Sequence, residues 1–251
     1  MGIISNPFSL EGKTILVTGA SSGIGRSTAI EAANLGARLI LVARNENRLK
    51  ETLAALSGEG HRIISADLTD EASLNNLVEE CGALDGVVLC AAKGLTRPVQ
   101  FSDRAHFDEI FNINFFSTAE LLRLLYKKKR LVREGSVVVI SSMGGTHVFS
   151  GGNSIYGSSK AALDSFMKFA AKEFAPRKIR VNSICPSMIE TPFIHRGTVT
   201  EEQLAEYAKR FPLKRFGRPE DVAYAAIYLL SSASAWVTGT SMIVDGGFSV
   251  S

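Results

Sequence analysis

Cysteine is scarce in this 251-residue chain, and Cys81, Cys90 and Cys185 are scattered and odd in number. That pattern excludes a disulfide framework and a zinc cluster as organising features, and it suits a reducing compartment. The four histidines, His61, His106, His147 and His195, show no metal spacing, so no metal is expected. His147 and His195 nonetheless lie in segments able to face a pocket. No apolar run reaches the length of a membrane span. The opening Met1-Gly2-Ile3-Ile4-Ser5-Asn6-Pro7 lacks the charged start and apolar core of a signal peptide, so a cytoplasmic location is expected. A strong excess of one charge is missing too. The net charge of +3 does not call for nucleic acid as a partner.

What is present is an ordinary globular composition, with 45% apolar and 21% charged residues, and enough length to bury a sizeable core. Short apolar runs alternate with helix-length amphipathic segments, the pattern of a parallel sheet with crossover helices. Strands are expected at 14–18, 38–42, 62–65, 86–90, 136–141, 180–184 and 241–244. Helices are expected at 23–35, 46–56, 71–81, 105–128, 155–174, 201–209 and 219–230. The reading is a single α/β domain over 1–251, a doubly wound Rossmann sheet of about seven strands with helices on both faces. Only 187–218 breaks the rhythm, with Pro192 and Pro212 and aromatics at Phe193, Tyr207, Phe211 and Phe216.

Near the start, an apolar strand runs into Thr18-Gly19-Ala20-Ser21-Ser22-Gly23-Ile24-Gly25. In this reading Gly19 allows the tight turn, Gly23 lets backbone approach a pyrophosphate, and Gly25 permits close helix packing. The helix N-terminus then supplies N–H donors to the phosphates. A structural loop would also account for a glycine cluster, but a strand before it and a helix after it favour a dinucleotide cradle.

The most informative pair lies further on, in Tyr156-Gly157-Ser158-Ser159-Lys160, downstream of Ser141-Ser142. Residues four apart on a helix share a face. A tyrosine of ordinary pKa near 10 donates a proton poorly at neutral pH unless its phenolate is stabilised, and a neighbouring ammonium supplies that stabilisation.

Together the glycine turn and the Tyr156/Lys160 pair resemble the short-chain dehydrogenase/reductase family, and 3-oxoacyl-carrier-protein reductase-like members in particular. The resemblance runs from Gly12 to Gly247. It includes Asp67, Asn114, Ser142, Arg180-Val181-Asn182, Pro186, Thr191, Arg218-Pro219-Glu220-Asp221 and Asp245-Gly246-Gly247. It implies hydride transfer between a nicotinamide cofactor and a carbonyl or secondary alcohol. Tyr156 would protonate the carbonyl oxygen, Ser142 position it, and Lys160 lower the tyrosine pKa while gripping the nicotinamide ribose. Asn114 would hold a water linking Lys160 to solvent. The implied cofactor residues are Gly19, Ser21, Ser22, Gly23, Ile24, Gly25, Arg44, Asp67, Leu68, Cys90, Ala91, Ala92, Tyr156, Lys160, Pro186, Met188, Ile189 and Thr191. The resemblance further implies that 187–218 covers the substrate and that the protein is a homotetramer.

Two departures stand out. Cys90-Ala91-Ala92-Lys93 replaces the family's Asn-Asn-Ala-Gly, and Pro186-Ser187 replaces Pro-Gly. Backbone groups at 90 and 91 remain, so cofactor binding is expected to survive. Lys93 leaves two readings, an ammonium at the pocket rim that favours an anionic substrate, or one turned to solvent. The basic run Lys127-Lys128-Lys129-Arg130 likewise reads as a solvated helix end or as a partner site for nucleic acid or an acidic carrier.

After the second strand the chain reads Val42-Ala43-Arg44-Asn45, without the acid that usually binds the ribose hydroxyls of NAD. Arg44 instead offers a planar cation suited to phosphate, so NADP(H) is the expected cofactor, with NAD(H) as the alternative. The substrate is a small carbonyl or alcohol, 3-oxoacyl and carrier-linked in one reading, and a sugar, steroid or other small alcohol in another. Two competing readings are a sugar-nucleotide epimerase, which normally adds a C-terminal domain, and a non-enzymatic dinucleotide sensor, which has no use for Ser142, Tyr156 and Lys160 together.

Overall fold

Seven strands form one sheet in the order β3-β2-β1-β4-β5-β6-β7, every neighbouring pair parallel. The computed structural model describes residues 6–195 and 200–250. The opening Met1 to Ser5 and residues 196–199 of the expected substrate-covering segment lie outside the described residues.

In chain order the elements are β1 (Thr14–Thr18), α1 (Gly23–Asn34), β2 (Arg38–Ala43), α2 (Glu46–Ala54), β3 (Arg62–Ser65), α3 (Glu71–Glu80) and β4 (Leu84–Leu89). There follow α4 (Arg104–Phe111), α5 (Ser117–Lys127), β5 (Leu131–Ile140), α6 (Ser154–Phe174), β6 (Arg180–Pro186), α7 (Glu201–Ala208), α8 (Pro219–Leu230) and β7 (Ser241–Val244). The carboxyl halves of the central strands are mainly apolar and buried because both faces are covered. One face carries α3, α5 and α6, whose Leu74, Leu77, Leu121, Leu125, Leu163 and Met167 pack with Leu16, Val87 and Val139. The other carries α1, α2 and α8, where Ala29, Ala32, Leu49, Val222 and Ala226 meet Ile15, Val17 and Val88.

The expected strands and helices all occur, with shifted ends. One expectation needs correction. The helix read over 105–128 is two helices joined by a π-helical turn at Asn112–Phe116. Such a turn shifts the backbone hydrogen bonding by one residue, a feature frequent at functional sites. Its centre is Asn114, fully buried. Part of the basic run is engaged within the fold. Lys129 adopts a left-handed φ of 56° as α5 ends, while Lys128 and Arg130 both pair with Glu79 of α3. These side chains clamp two neighbouring helices.

Sequence order reverses at β1 and β4, where the chain leaves β1 towards β2 on one side and β4 continues the sheet on the other. Open parallel sheets bind ligands outside the carboxyl ends of their strands at such a switch point.

Candidate active site

The crevice at this switch point is held together by Thr18. Its hydroxyl oxygen accepts hydrogen bonds from the backbone N–H groups of Cys90 (2.9 Å) and Ala91 (3.2 Å), tying the end of β1 to the end of β4. Only backbone donors are used, so the departure from the family's asparagines at 90 and 91 leaves the tie intact. Burial pushes the Cys90 thiol up to about 11, leaving it neutral beside the crevice.

The glycines of the turn serve close approach. Gly19 and Gly23 have φ of 68° and 51°, the left-handed region. A Cβ on Gly25 would overlap the carbonyl of Gly19, and one on Gly23 would press within 3.1 Å of the Thr191 methyl. Helix α1 starts after Ser22, whose side chain makes no capping bond, and its first turn carries no acid. Ser22 therefore caps none of its leading N–H groups, and the Gly25 N–H meets only the Cys90 thiol, a weak acceptor, which leaves the helix end able to bind an anion. Cradle and helix end fit a dinucleotide pyrophosphate.

Beyond β2, Arg44 is 75% exposed at its side chain, and its nearest ionic partner, Asp67, is 3.8 Å away. The Asp67 carboxylate is engaged by the backbone N–H and the hydroxyl of Thr69, which hold its pKa below the ordinary value. Leu68 beside it is buried. Asn45 is spent capping α2 through the N–H of Arg48. The guanidinium of Arg44 is thus an exposed polar fork at this end of the crevice, paired only loosely with Asp67.

At the other end, Ser142 follows β5 while Tyr156 and Lys160 lie on successive turns of α6. The Ser142 oxygen accepts from the N–H of Gly144 at 3.0 Å, and its hydroxyl is near enough to the Tyr156 phenol to favour the phenolate. Lys160 Nζ donates to the carbonyl of Ile140 at 2.8 Å and lies 6.0 Å from the centre of the Tyr156 ring. Burial pushes Tyr156 up to about 12 and Lys160 down to about 8. The expectation that Lys160 lowers the tyrosine pKa is not met by this geometry, in which Lys160 is not among the groups acting on the phenol. The ammonium is turned to a strand carbonyl, and desolvation outweighs the help Tyr156 receives from Ser142.

Asn114 also does something the sequence did not indicate. Its Oδ1 accepts from the Lys93 N–H at 2.8 Å, and its Nδ2 donates to the Lys93 carbonyl and to Ser159 Oγ, both at 3.0 Å. One amide proton is spent on the exit of β4 and the other on Ser159 of α6. Lys93 itself sends its exposed ammonium to Glu109, not into the crevice.

The chain after β6 lies across the crevice. Pro186 accepts from the Met143 N–H at 3.1 Å, Ile189 bridges to Gly217, and Thr191 packs on Gly23. Two residues on, the Phe193 ring lies 5.6 Å from that of Tyr156, and a Cβ on Gly94 would overlap it. This contact was missed from the sequence. The available signal was Gly94 itself, a glycine whose φ is not left-handed and which no turn requires.

Other motif residues prove to be structural ties. Asp221 accepts from the Arg218 N–H and from Arg215 at the start of α8, Asn182 bonds Val237 and Thr240, and Asp245 accepts from the N–H groups of Gly247 and Ser249. His147 is exposed and bonded to the Thr146 hydroxyl, while His195 bridges Glu190 and Glu201. Among the described residues no group of His, Cys, Asp and Glu is placed to hold a metal ion, and no helix is long and apolar enough to cross a membrane.

A family model described as Enoyl-(Acyl carrier protein) reductase matches residues 19–249. A short-chain type dehydrogenase/reductase from Mycobacterium ulcerans superposes with a TM-score of 0.86 at 33% identity, over 96% of this chain and 91% of that one. The chain belongs to the short-chain dehydrogenase/reductase family. It is an oxidoreductase of that family by the same findings. A 3-oxoacyl-[acyl-carrier-protein] reductase of Aquifex aeolicus is 34% identical over 95% of this chain and 98% of its own length. A tropinone reductase homologue of Arabidopsis thaliana is 34% identical over 97% and 92%. A provisionally assigned NAD(P)-dependent gluconate 5-dehydrogenase from Beutenbergia cavernae, solved with NADP at low occupancy, has a TM-score of 0.88 at 29% identity, over 98% of this chain and 100% of that one.

Proposed function

We propose that this oxidoreductase is a ketone reductase of 3-oxoacyl type that prefers NADP(H). The observation that carries the reading is the meeting of Ser142, Tyr156 and Lys160 beside an uncapped glycine turn, at the carboxyl edge of a parallel sheet. A bound nicotinamide cofactor supplies the hydride. The chain's own residues bind, orient and handle the proton.

Gly19, Ser21, Ser22, Gly23, Ile24 and Gly25 cradle the pyrophosphate. Arg44 takes a ribose phosphate, with Asp67 and Leu68 beside the adenine end. Cys90, Ala91 and Ala92 line the ribose through their backbone, and Pro186, Met188, Ile189 and Thr191 border the nicotinamide. Ser142 donates to the substrate carbonyl oxygen and fixes its position. Tyr156 delivers its phenolic proton to that oxygen, and Lys160 swings from Ile140 towards the ribose and the phenol, supplying positive charge where phenolate develops. With its amide protons engaged, Asn114 accepts through an oxygen from the water by which Lys160 exchanges protons with solvent. Its burial in the π-helical turn, bonded to the Ser159 next to Lys160, supports that part.

The chain acts as one domain, 1–251, in which 187–218 covers the substrate. Thr191 on Gly23 and Phe193 against Tyr156 support that reading. The reducing compartment suggested by three buried or half-buried free thiols is the cytoplasm. The assembly is a homotetramer, supported by two separate apolar surfaces. Phe116 and Phe169 are exposed near the α5 and α6 face, while Trp236, Tyr224 and Ile243 are exposed near α8 and the edge strand β7. Light scattering that gives a monomer at micromolar concentration counts against it.

The deciding experiment is steady-state reduction of 3-oxoacyl thioesters, carrier-linked and free, against sugar ketones, steroids and small diketones, with NADPH and NADH. The reading expects the highest kcat/KM for a 3-oxoacyl thioester with NADPH. A sugar or steroid ketone favoured over every thioester overturns the substrate assignment.

A further inference from the structure

The Phe193 ring is fixed from two sides. On one side it fills the space where any side chain at Gly94 would stand, and the neighbouring Lys93 is held at both its N–H and its carbonyl by the buried amide of Asn114. On the other, Pro192 restricts the backbone, and the Phe193 N–H donates to the Thr191 hydroxyl at 3.4 Å while Thr191 packs on Gly23. Held in this way, the ring leans on Tyr156 with centroids 5.6 Å apart and planes 50° from parallel. Aromatic rings at that separation are in contact, with no space for a further group between them.

We infer that Phe193 is a specificity-determining residue, an aromatic wall that limits the size of the carbonyl substituent lying on the Gly94 side of Tyr156. The inference rests on the reading that Tyr156 protonates the substrate carbonyl. A ketone whose oxygen reaches the phenol must place one of its two substituents along this ring, because the ring already covers that flank of the tyrosine. A flexible side chain would yield to a bulky substituent. This one is backed by the main chain at Gly94 and does not. Gly94 and Phe193 therefore act as a pair, the glycine existing to seat the ring.

The test measures kcat/KM with NADPH for a methyl ketone and for its aryl or branched counterpart, in the wild type, Phe193→Ala, Gly94→Ala and the double variant. Excess bulk in an apolar pocket changes discrimination by about 10- to 200-fold per methylene-sized step. Phe193→Ala is thus expected to raise the bulky-to-small ratio by about 10-fold or more while leaving the NADPH dissociation constant near the wild-type value. Gly94→Ala drives the ring towards Tyr156, so it lowers kcat/KM for both ketones, and adding Phe193→Ala relieves that loss. If Phe193→Ala does not fold, Phe193→Leu makes the same comparison with a smaller expected shift. An unchanged ratio, or a Gly94→Ala loss that persists in the double variant, overturns the inference alone. A wild type that reduces no ketone with either cofactor overturns the inference and the proposed function together.

Discussion

Lys160 donates its side-chain hydrogen bond to the carbonyl of Ile140, an ammonium enclosed by the sheet with 2% of the residue exposed. Its pKa of about 8 against an ordinary 10.5 makes it a cost to folding. Because the native value is the lower one, the unfolded chain holds a proton that the native protein lacks between pH 8 and 10.5. Stability therefore rises with pH through that window, and the full cost, about 3–4 kcal/mol at about 1.4 kcal/mol per pKa unit, applies at pH 7. Lys160→Met is expected to abolish turnover while raising the unfolding free energy at pH 7 by about 1–3 kcal/mol, the loss of the Ile140 bond setting the lower figure. Urea denaturation beside an activity assay reads both. A less stable Lys160→Met refutes the account.

Tyr156→Phe keeps the ring against Phe193 and removes only the acidic hydroxyl. Turnover should fall by about 10²- to 10⁴-fold, the usual worth of general acid catalysis, with NADPH affinity nearly unchanged. Fluorescence titration with the cofactor separates the two effects, and substantial residual turnover would sink the assignment.

Arg44 has no strong partner to give up, since Asp67 is 3.8 Å away and already engaged by Thr69. A charged hydrogen bond to phosphate is worth about 1.5–3 kcal/mol, so Arg44→Ala should reduce kcat/KM for NADPH by about 10- to 100-fold. The value for NADH should change little. If the wild type already favours NADH, the NADP(H) reading fails.

His195 contacts carboxylates at both ring nitrogens, Glu190 at one and Glu201 at the other, which requires a proton on each. Its pKa is raised above the ordinary 6.5, first by the Glu190 hydrogen bond. A raised native value means that the clamp is fully present below pH 6.5 and is lost as pH climbs through the native pKa. An NMR titration of the imidazole should show a midpoint above the ordinary one in the wild type and a lower one in Glu190→Gln. Identical midpoints would show that the bridge does not form.

The element pattern, the glycine turn and the Tyr156/Lys160 spacing were determined by the sequence alone, because each is written in neighbouring residues. A parallel sheet covered on both faces leaves apolar runs such as Ile15-Leu16-Val17, and a four-residue spacing places two side chains on one helix face wherever the helix lies. The side-chain directions of Lys160, Asn114 and Lys93 were decided only by the tertiary structure. Lys160 turns to Ile140 because a buried ammonium needs a carbonyl that β5 provides, and the π turn at Asn112–Phe116 shifts the hydrogen-bond register of a helix that runs on through it. Phe193 meets Gly94 and Tyr156 across 99 and 37 residues of chain, and the Thr18 hydroxyl meets Cys90 across 72. Contacts that distant leave no periodic trace in sequence. They arise when the sheet brings the ends of β1, β4, β5 and β6 to one edge, and there the chemistry of the site is set by burial.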